Sequence, residues 1–349
     1  MSKTATAFIL VSLMAIGPLQ VHANQDPSPV AGVNMLIVVG AAGTPEYGNQ
    51  FAAWAGQWAS IGEQAGAKIT QIGLDPVQDV SDAERLQMTI AAIQESEAKS
   101  SRPHWLIFIG HGTFQANVAK LNLRGPDVDA KQLAQWLAPL QQPIVFVNVA
   151  SASGPFVNAL SGPNRIIVTA TKSGAEQNFA RFGAYLPKAL ADPASDLDHD
   201  DEVSLLEAVL KAASETSEFY AAEARIRTEH AILDDNGDSL GTPAELFGSV
   251  LRGTVDESSA PTDAVAGPTD LDGDVAAKTI LIPATDVPPL TREEYAERTC
   301  IEAELLALRG NKASLGEDEY FKQVEEWMLQ LAAIYRAAEN REKSTASSP

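Results

Sequence analysis

The sequence predicts an α/β protein: a mostly parallel sheet with helices on both faces. Three observations point there. His104–Gly112 and Pro143–Gly154 hold apolar runs of strand length that do not alternate with polar residues, which suits strands covered on both faces. Strand-like and helix-like patterns then alternate from Met35 to Leu190, the order of βα units in a parallel sheet. Hydrophobic residues make up 45% of the 349, enough for a sizeable core in one large or two medium domains.

Taken in order, Met35–Gly40 reads as the first strand. Ala41–Pro45 is a turn opening a helix whose apolar positions Phe51, Trp54, Ala55 and Trp58 share a face. Gly40, Gly43 and Gly48 do not match a phosphate-loop spacing and fit close strand-to-helix packing better. Ala67–Leu74 is a second strand. Ser81 and Glu84 form a capping-box pattern before a helix to about Glu97. Strands follow at Trp105–Ile109, Ile144–Val149 and Arg165–Ala170, with helices at Asp129–Leu140 and Phe179–Leu190. Residues 33–190 are thus the α/β domain.

The flanking regions differ in character. Lys3, the apolar stretch Ala5–Ile16 and Val21-His-Ala23 have the pattern of a secretory signal peptide over residues 1–23. The run is too short to span a bilayer, so an exported chain, periplasmic or secreted, with no membrane association after cleavage is expected. Residues 24–32 form a polar leader with Pro27 and Pro29. Residues 191–252 read as an acidic helical insert, with helices at about Leu205–Ser214 and Glu218–Ile232. Residues 253–290 are a linker with a possible last strand at Lys278–Ile282. Thr291 and Glu294 form a second capping box. It opens a helical hairpin over 291–341 that turns near Gly310–Gly316. The second helix carries Tyr320, Phe321, Val324, Trp327, Met328, Leu331, Ile334 and Tyr335 at helical spacing. That stripe covers the chain's own core or forms a partner or oligomer contact. Residues 342–349 are expected to be a disordered tail. The single cysteine, Cys300, rules out an intramolecular disulfide and reads as a packing residue of the hairpin.

A net charge of −21 excludes a nucleic-acid partner, because phosphates need a basic surface. Chemistry in open α/β sheets gathers at the carboxyl ends of strands. There this sequence sets His111 and Gly112 after one strand, and Ser151 and Ser153 after the next. A His facing a nucleophile-type residue is an arrangement for acyl transfer. Gly110-His-Gly112 and Asn148-Val-Ala-Ser-Ala-Ser-Gly154 together resemble the legumain and caspase group of cysteine peptidases, over roughly residues 33–190. The resemblance implies a caspase-like three-layer sandwich. It implies that His111 and Gly112 match the family's His-Gly and that Ser151 stands where the family has its nucleophilic Cys. A Ser hydroxyl is not ionised near neutral pH as a thiol partly is. No acidic residue in the sequence can be assigned to orient His111. The expectation is therefore an inactive homologue that holds a peptide or protein ligand. The alternative is an active hydrolase using Ser151, or Ser153 if the loop is shifted by two, with His111.

Two acidic stretches have calcium-loop spacing. In the first, Asp196, Asp198, Asp200 and Glu207 occupy positions 1, 3, 5 and 12 of an EF-hand loop. Glu202 would give a backbone carbonyl at position 7, and Ser204 stands at position 9. Asp201 replaces the usual Gly at position 6, where φ must be positive. In the second, Asp234, Asn236, Asp238 and Glu245 hold the same positions, with Gly241 and Pro243 as departures. Asp, Asn and Gly also make ordinary turns, so the second loop stays open between the two readings. Ca²⁺ is the expected cofactor of the first.

Overall fold

The computed structural model describes residues 33–76, 79–95, 103–198, 200–251, 271–283, 290–291 and 315–346, and scattered positions between 294 and 308. The signal peptide, the leader, His199, most of the 253–290 linker and the hairpin turn at 309–314 lie outside the described residues.

Five parallel strands form the body of the main sheet: β1 (Asn34–Val39), β2 (Lys68–Ile72), β3 (His104–Ile109), β7 (Ile144–Asn148) and β8 (Arg165–Thr169). They lie in the order β2-β1-β3-β7-β8, and β9 (Ile232–Asp234) and β10 (Thr242–Pro243) extend the β8 edge antiparallel. This is the expected mostly parallel sheet. Alternate residues of each strand feed two separate cores. Met35, Ile37, Trp105, Ile107, Val145, Val147 and Val168 pack beneath α1 (Pro45–Gln64), α5 (Leu186–Ala191) and α6 (Leu205–Ala222). Leu36, Val38, Leu106, Phe108, Phe146 and Ile167 pack beneath α2 (Asp82–Glu95), α3 (Ala130–Leu137) and α4 (Pro155–Leu160). The unbroken apolar runs of β3 and β7 exist because both faces of these strands are covered.

Helix α1 shows how the local signals act. Thr44 at the N-cap accepts from the Tyr47 N–H, Pro45 stands at N1 where its missing N–H is not needed, and Gly66 leaves the helix at φ +65°. Between them Phe51, Trp54, Trp58 and Ile61 are buried. Each such side chain stabilises by about 1.5–3 kcal/mol relative to exposure. Both expected capping boxes are present: Glu84 accepts from the Ser81 N–H at 3.0 Å, and Glu294 from the Thr291 N–H at 2.7 Å.

The structure departs from the expectations in several places. After His111 the chain forms a small antiparallel sheet of β4 (Gly112–Gln115), β5 (Val118–Leu121) and β6 (Val128–Asp129). Its two-residue turn, Ala116-Asn117, has both residues at positive φ, the twist that hairpin strands prefer. Short α4 was also not expected. Residues 179–181 are not helical; a 3₁₀ turn at Phe182–Ala184 precedes α5, whose Pro187 cannot continue a helix from upstream. The second helix expected in the acidic insert, Glu218–Ile232, is replaced. Helix α6 runs on to Ala222, and Ile232–Asp234 is strand β9 of the main sheet, its side chains all buried. Lys278–Ile282 gives only a 3₁₀ turn and a single bridge from Ile280 to Ser204.

Helix α7 (Ala244–Leu251) follows β10 and sets Ala244 and Phe247 in the first core. At the C-terminal end, α8 (Glu317–Ala346) continues through residues expected to be disordered. Its Arg341 forms a two-pronged ion pair with Glu294, both contacts at 2.7 Å. This pairs the start of the first segment with the end of the second, so the two run antiparallel. Ile301, Leu308, Ile334 and Ala338 are buried, while Phe321, Met328 and Leu329 are exposed. Cys300 is exposed as well and takes no packing role.

Candidate functional site

The chain leaves β1 to one side for β2 and returns to the other side for β3. The carboxyl ends of β1 and β3 therefore frame the switch point, where ligands of open α/β sheets bind. His111 stands there. Its Nε2 lies 3.1 Å from the carbonyl oxygen of Ala42 in the β1–α1 turn. A carbonyl only accepts, so Nε2 carries a proton and donates it in this contact. Three aromatic rings pen the imidazole edge-on: Tyr47 at 4.7 Å, Phe51 at 5.1 Å and Phe179 at 6.2 Å between centroids.

Ser151 follows β7, the strand hydrogen-bonded to β3, so the sequence-predicted pair lies on neighbouring strand ends of one sheet. The two strand ends touch through their backbones. A Cβ on Gly112 would overlap the Ser151 carbonyl oxygen, which is the physical reason for glycine there. The Ser151 hydroxyl is nearly buried, at 5% exposure, and donates to the Gly112 carbonyl at 3.4 Å. Among the described residues it makes no hydrogen bond to His111.

The loop after Ser151 is held tightly. Ala152 is left-handed at φ +54°, and its N–H donates to the Glu176 carbonyl at 2.7 Å. Thr171, wholly buried, accepts from the Ser153 N–H at 2.7 Å and the Gly154 N–H at 3.1 Å. Its hydroxyl also shares a 3.0 Å hydrogen bond with the Ser153 hydroxyl. Ser153 is thereby fixed as a structural residue. Three successive N–H groups that could stabilise an oxyanion are thus already engaged.

Sequence reasoning missed the residues that hold this loop from behind. The Glu176 carboxylate accepts from the Lys172 N–H at 2.9 Å and meets His230 Nδ1 at 2.6 Å. The Glu229 carboxylate takes the Arg181 and Phe182 N–H groups and the Tyr220 hydroxyl, and burial still pushes its pKa up. The Arg181 guanidinium lies over Phe179 and Phe219, at 4.9 and 5.1 Å. The Glu176–His230, Glu229–Arg181, Glu229–Phe182 and Arg181–Phe219 partners lie 38 to 54 residues apart in sequence, and no local pattern announces them.

In the first acidic loop, oxygens of Asp196, Asp198 and Glu207 lie within 4.8 Å of one another. Hard anionic oxygens in such a set suit a calcium-type cation. Asp201 adopts φ +68°, the sharp turn that position 6 requires. Burial and then the charges of Asp198, Glu202 and Glu207 push the Asp200 carboxyl up to about 6, against the pull of the Glu202 N–H. Glu207 is fully engaged by the chain. It accepts from the Leu197 and Asp198 N–H groups at 2.7 and 3.2 Å, and from the Ser204 N–H and hydroxyl at 2.8 and 2.7 Å. Ser204 and Glu207 are a third capping box, opening α6. Glu202 turns its side chain away, to Arg298 of the hairpin at 2.6 Å.

The second loop does not gather its acids. Asp234 lies in β9 and accepts from Ser161 at 3.0 Å; Asn236 and Asp238 bond to each other and to nearby backbone; Glu245 pairs with Arg227. The adjacent Asp235 and Asp272 clasp reciprocally. Asp235 accepts from the Gly273, Val275 and Ala276 N–H groups, and Asp272 from the Asp235, Asn236 and Thr242 N–H groups. These bonds stitch the turn between β9 and β10.

No family model matches the chain, and no curated protein matches it. Among solved structures the chain is similar to the Drosophila initiator caspase Dronc, at 12% identity and a TM-score of 0.38, over 69% of this chain and 96% of that one. It is also similar to caspase-1 from Spodoptera frugiperda, at 10% identity and a TM-score of 0.41, over 60% and 88%. At these scores the likeness carries no functional assignment.

Proposed function

We propose that the chain is an exported, non-catalytic relative of the legumain and caspase peptidases. It holds a peptide or protein ligand at the β1/β3/β7 strand ends and takes calcium in the 196–207 loop. The state of the Ser151 loop carries this reading: the hydroxyl donates to the Gly112 carbonyl, and the three N–H groups that follow are all engaged. A serine nucleophile needs a base in reach of its proton and free donors for the oxyanion. The penned His111 ring and the backbone edges remain as a surface for an extended ligand.

The alternative, hydrolysis by Ser151 with His111, is favoured by one observation, their adjacent strand ends. Assaying the full chain and Ser151→Ala on a peptide library separates the two. No turnover by either protein is expected, with retained peptide capture by both. Turnover that Ser151→Ala abolishes would establish the hydrolase. Calcium is tested by calorimetric titration and melting. A rise in Tm that Glu207→Gln removes is expected, since an ion bound only by the folded chain stabilises it. No heat and no shift at millimolar calcium would leave 196–207 as a turn.

A further inference from the structure

At the opposite end of the sheet, where β1, β2 and β3 begin, the register forms a polar rung. Asn34 pairs with Lys68 on one side. The register that sets Met35 against Trp105 places His104 beside Asn34 on the other. Lysine, asparagine and histidine thus stand side by side across three strands. They line an open cavity of about 330 Å³, flanked by Met88, Thr89, Ala92 and Ile93 of α2, of which Met88 is largely exposed, and by Met35, Leu36 and Thr70 of the sheet.

His104 is the anomaly. It is 94% buried, and among the described residues neither ring nitrogen has a hydrogen-bond partner. A buried polar atom left unpaired costs about 1–3 kcal/mol. Among the described residues Lys68 has no carboxylate partner, in a chain of net charge −21. A half-turn of the imidazole about Cβ–Cγ exchanges Nδ1 with Cδ2 and Nε2 with Cε1. The edge that meets the cavity is therefore carbon or nitrogen without any other atom moving.

We propose that this cavity binds a small monocarboxylate with an apolar tail. The Lys68 ammonium, the Asn34 amide and the His104 ring receive the carboxylate, and Leu36, Met88 and Ile93 receive the tail. The chemistry follows from the donor set. A cation and two neutral donors on one rung match a carboxylate's two oxygens. Apart from Thr70 and Thr89 the remaining lining is aliphatic or thioether, and the volume lies at the small end of ligand pockets. The cavity lies at the opposite end of the strands from His111.

The test uses the full chain and butanoate, hexanoate and octanoate as probes, followed by the His104 Cε1–H resonance and by Tm. Saturable binding in the millimolar range or tighter is expected, with the His104 resonance shifting and its pKa rising as the carboxylate arrives. Lys68→Gln should weaken binding about tenfold, and His104→Phe, which fills the same space, should abolish it while the protein stays folded. Absence of a saturable shift at 20 mM would overturn the proposal. So would equal binding of 1-hexanol, which shows a merely apolar hole, or unchanged hexanoate affinity in both variants.

Discussion

Thr171 is the point from which the Ser151 loop is held, and its hydroxyl can be removed without changing its shape. In Thr171→Val the Ser153 and Gly154 N–H groups lose their acceptor in a wholly buried setting. Each stranded donor costs about 1–3 kcal/mol, so the variant should lose about 2–6 kcal/mol of stability. At roughly 2–4 °C per kcal/mol for a chain of this size, a loss of about 3 kcal/mol lowers Tm by about 6–12 °C. Thr171→Ser keeps the hydroxyl and loses one buried methyl, worth about 1 kcal/mol. Urea unfolding followed by tryptophan fluorescence gives both values. Amide exchange should show Ser153 and Gly154 opening in the valine variant before the β7 and β8 amides do. A valine variant within 1 kcal/mol of the parent, or a serine variant as unstable as the valine one, would refute the hydrogen-bond account of this loop.

Gly112→Ala drives a Cβ into the Ser151 carbonyl, and both are backbone-fixed. Overpacking of this kind costs about 1–3 kcal/mol, and a thermal melt should register it even if the protein has no catalytic activity. The pH dependence of stability should carry the mark of His104. Burial holds its pKa below the ordinary value, so the neutral ring belongs to the folded state. The unfolded chain takes up the proton first, so this stability is present above about pH 6.5 and is lost as pH falls through that value. Comparing urea midpoints of the parent and His104→Phe at pH 7.5 and 5 should show the gap between them widening at pH 5; parallel losses in both would place the acid sensitivity elsewhere.

Much of the fold was legible because it rests on local chemistry. Doubly covered β3 and β7 show as unbroken apolar runs, and the Ser81–Glu84 and Thr291–Glu294 boxes announce helix starts within four residues. Adjacency of His111 and Ser151 follows from two strands that are consecutive in the parallel order. What failed was local pattern overridden by distant partners. Ile232–Asp234 sits next to a helical run and reads as its continuation, but β8 offers an open edge and takes it as a strand. The β4–β5 hairpin turns on Ala116-Asn117, where the usual glycine signal is missing. Thr171, Glu176 and Glu229 carry no signal at all, since each acts on backbone N–H groups that only the folded chain brings to it.

In the first acidic loop one spacing fits two roles. Positions 9 and 12 of a calcium loop are also the N-cap and N3 of the helix that leaves it. Ser204 and Glu207 make a capping box, and in the proposed calcium state the same atoms would serve as a ligand pair. Without an ion, four donors from Leu197, Asp198 and Ser204 neutralise Glu207 and hold the loop against α6. With one, Glu207 must give up some of those bonds to turn its oxygens on the ion. Affinity is then the difference between two satisfied states, not the full energy of four carboxylates meeting a cation. In the proposed calcium state Glu202 would extend that exchange to the hairpin, because its backbone stands at position 7 while its side chain holds Arg298. A loop that closes on calcium would move the anchor of Arg298, and so the seat of the hairpin, by way of one residue.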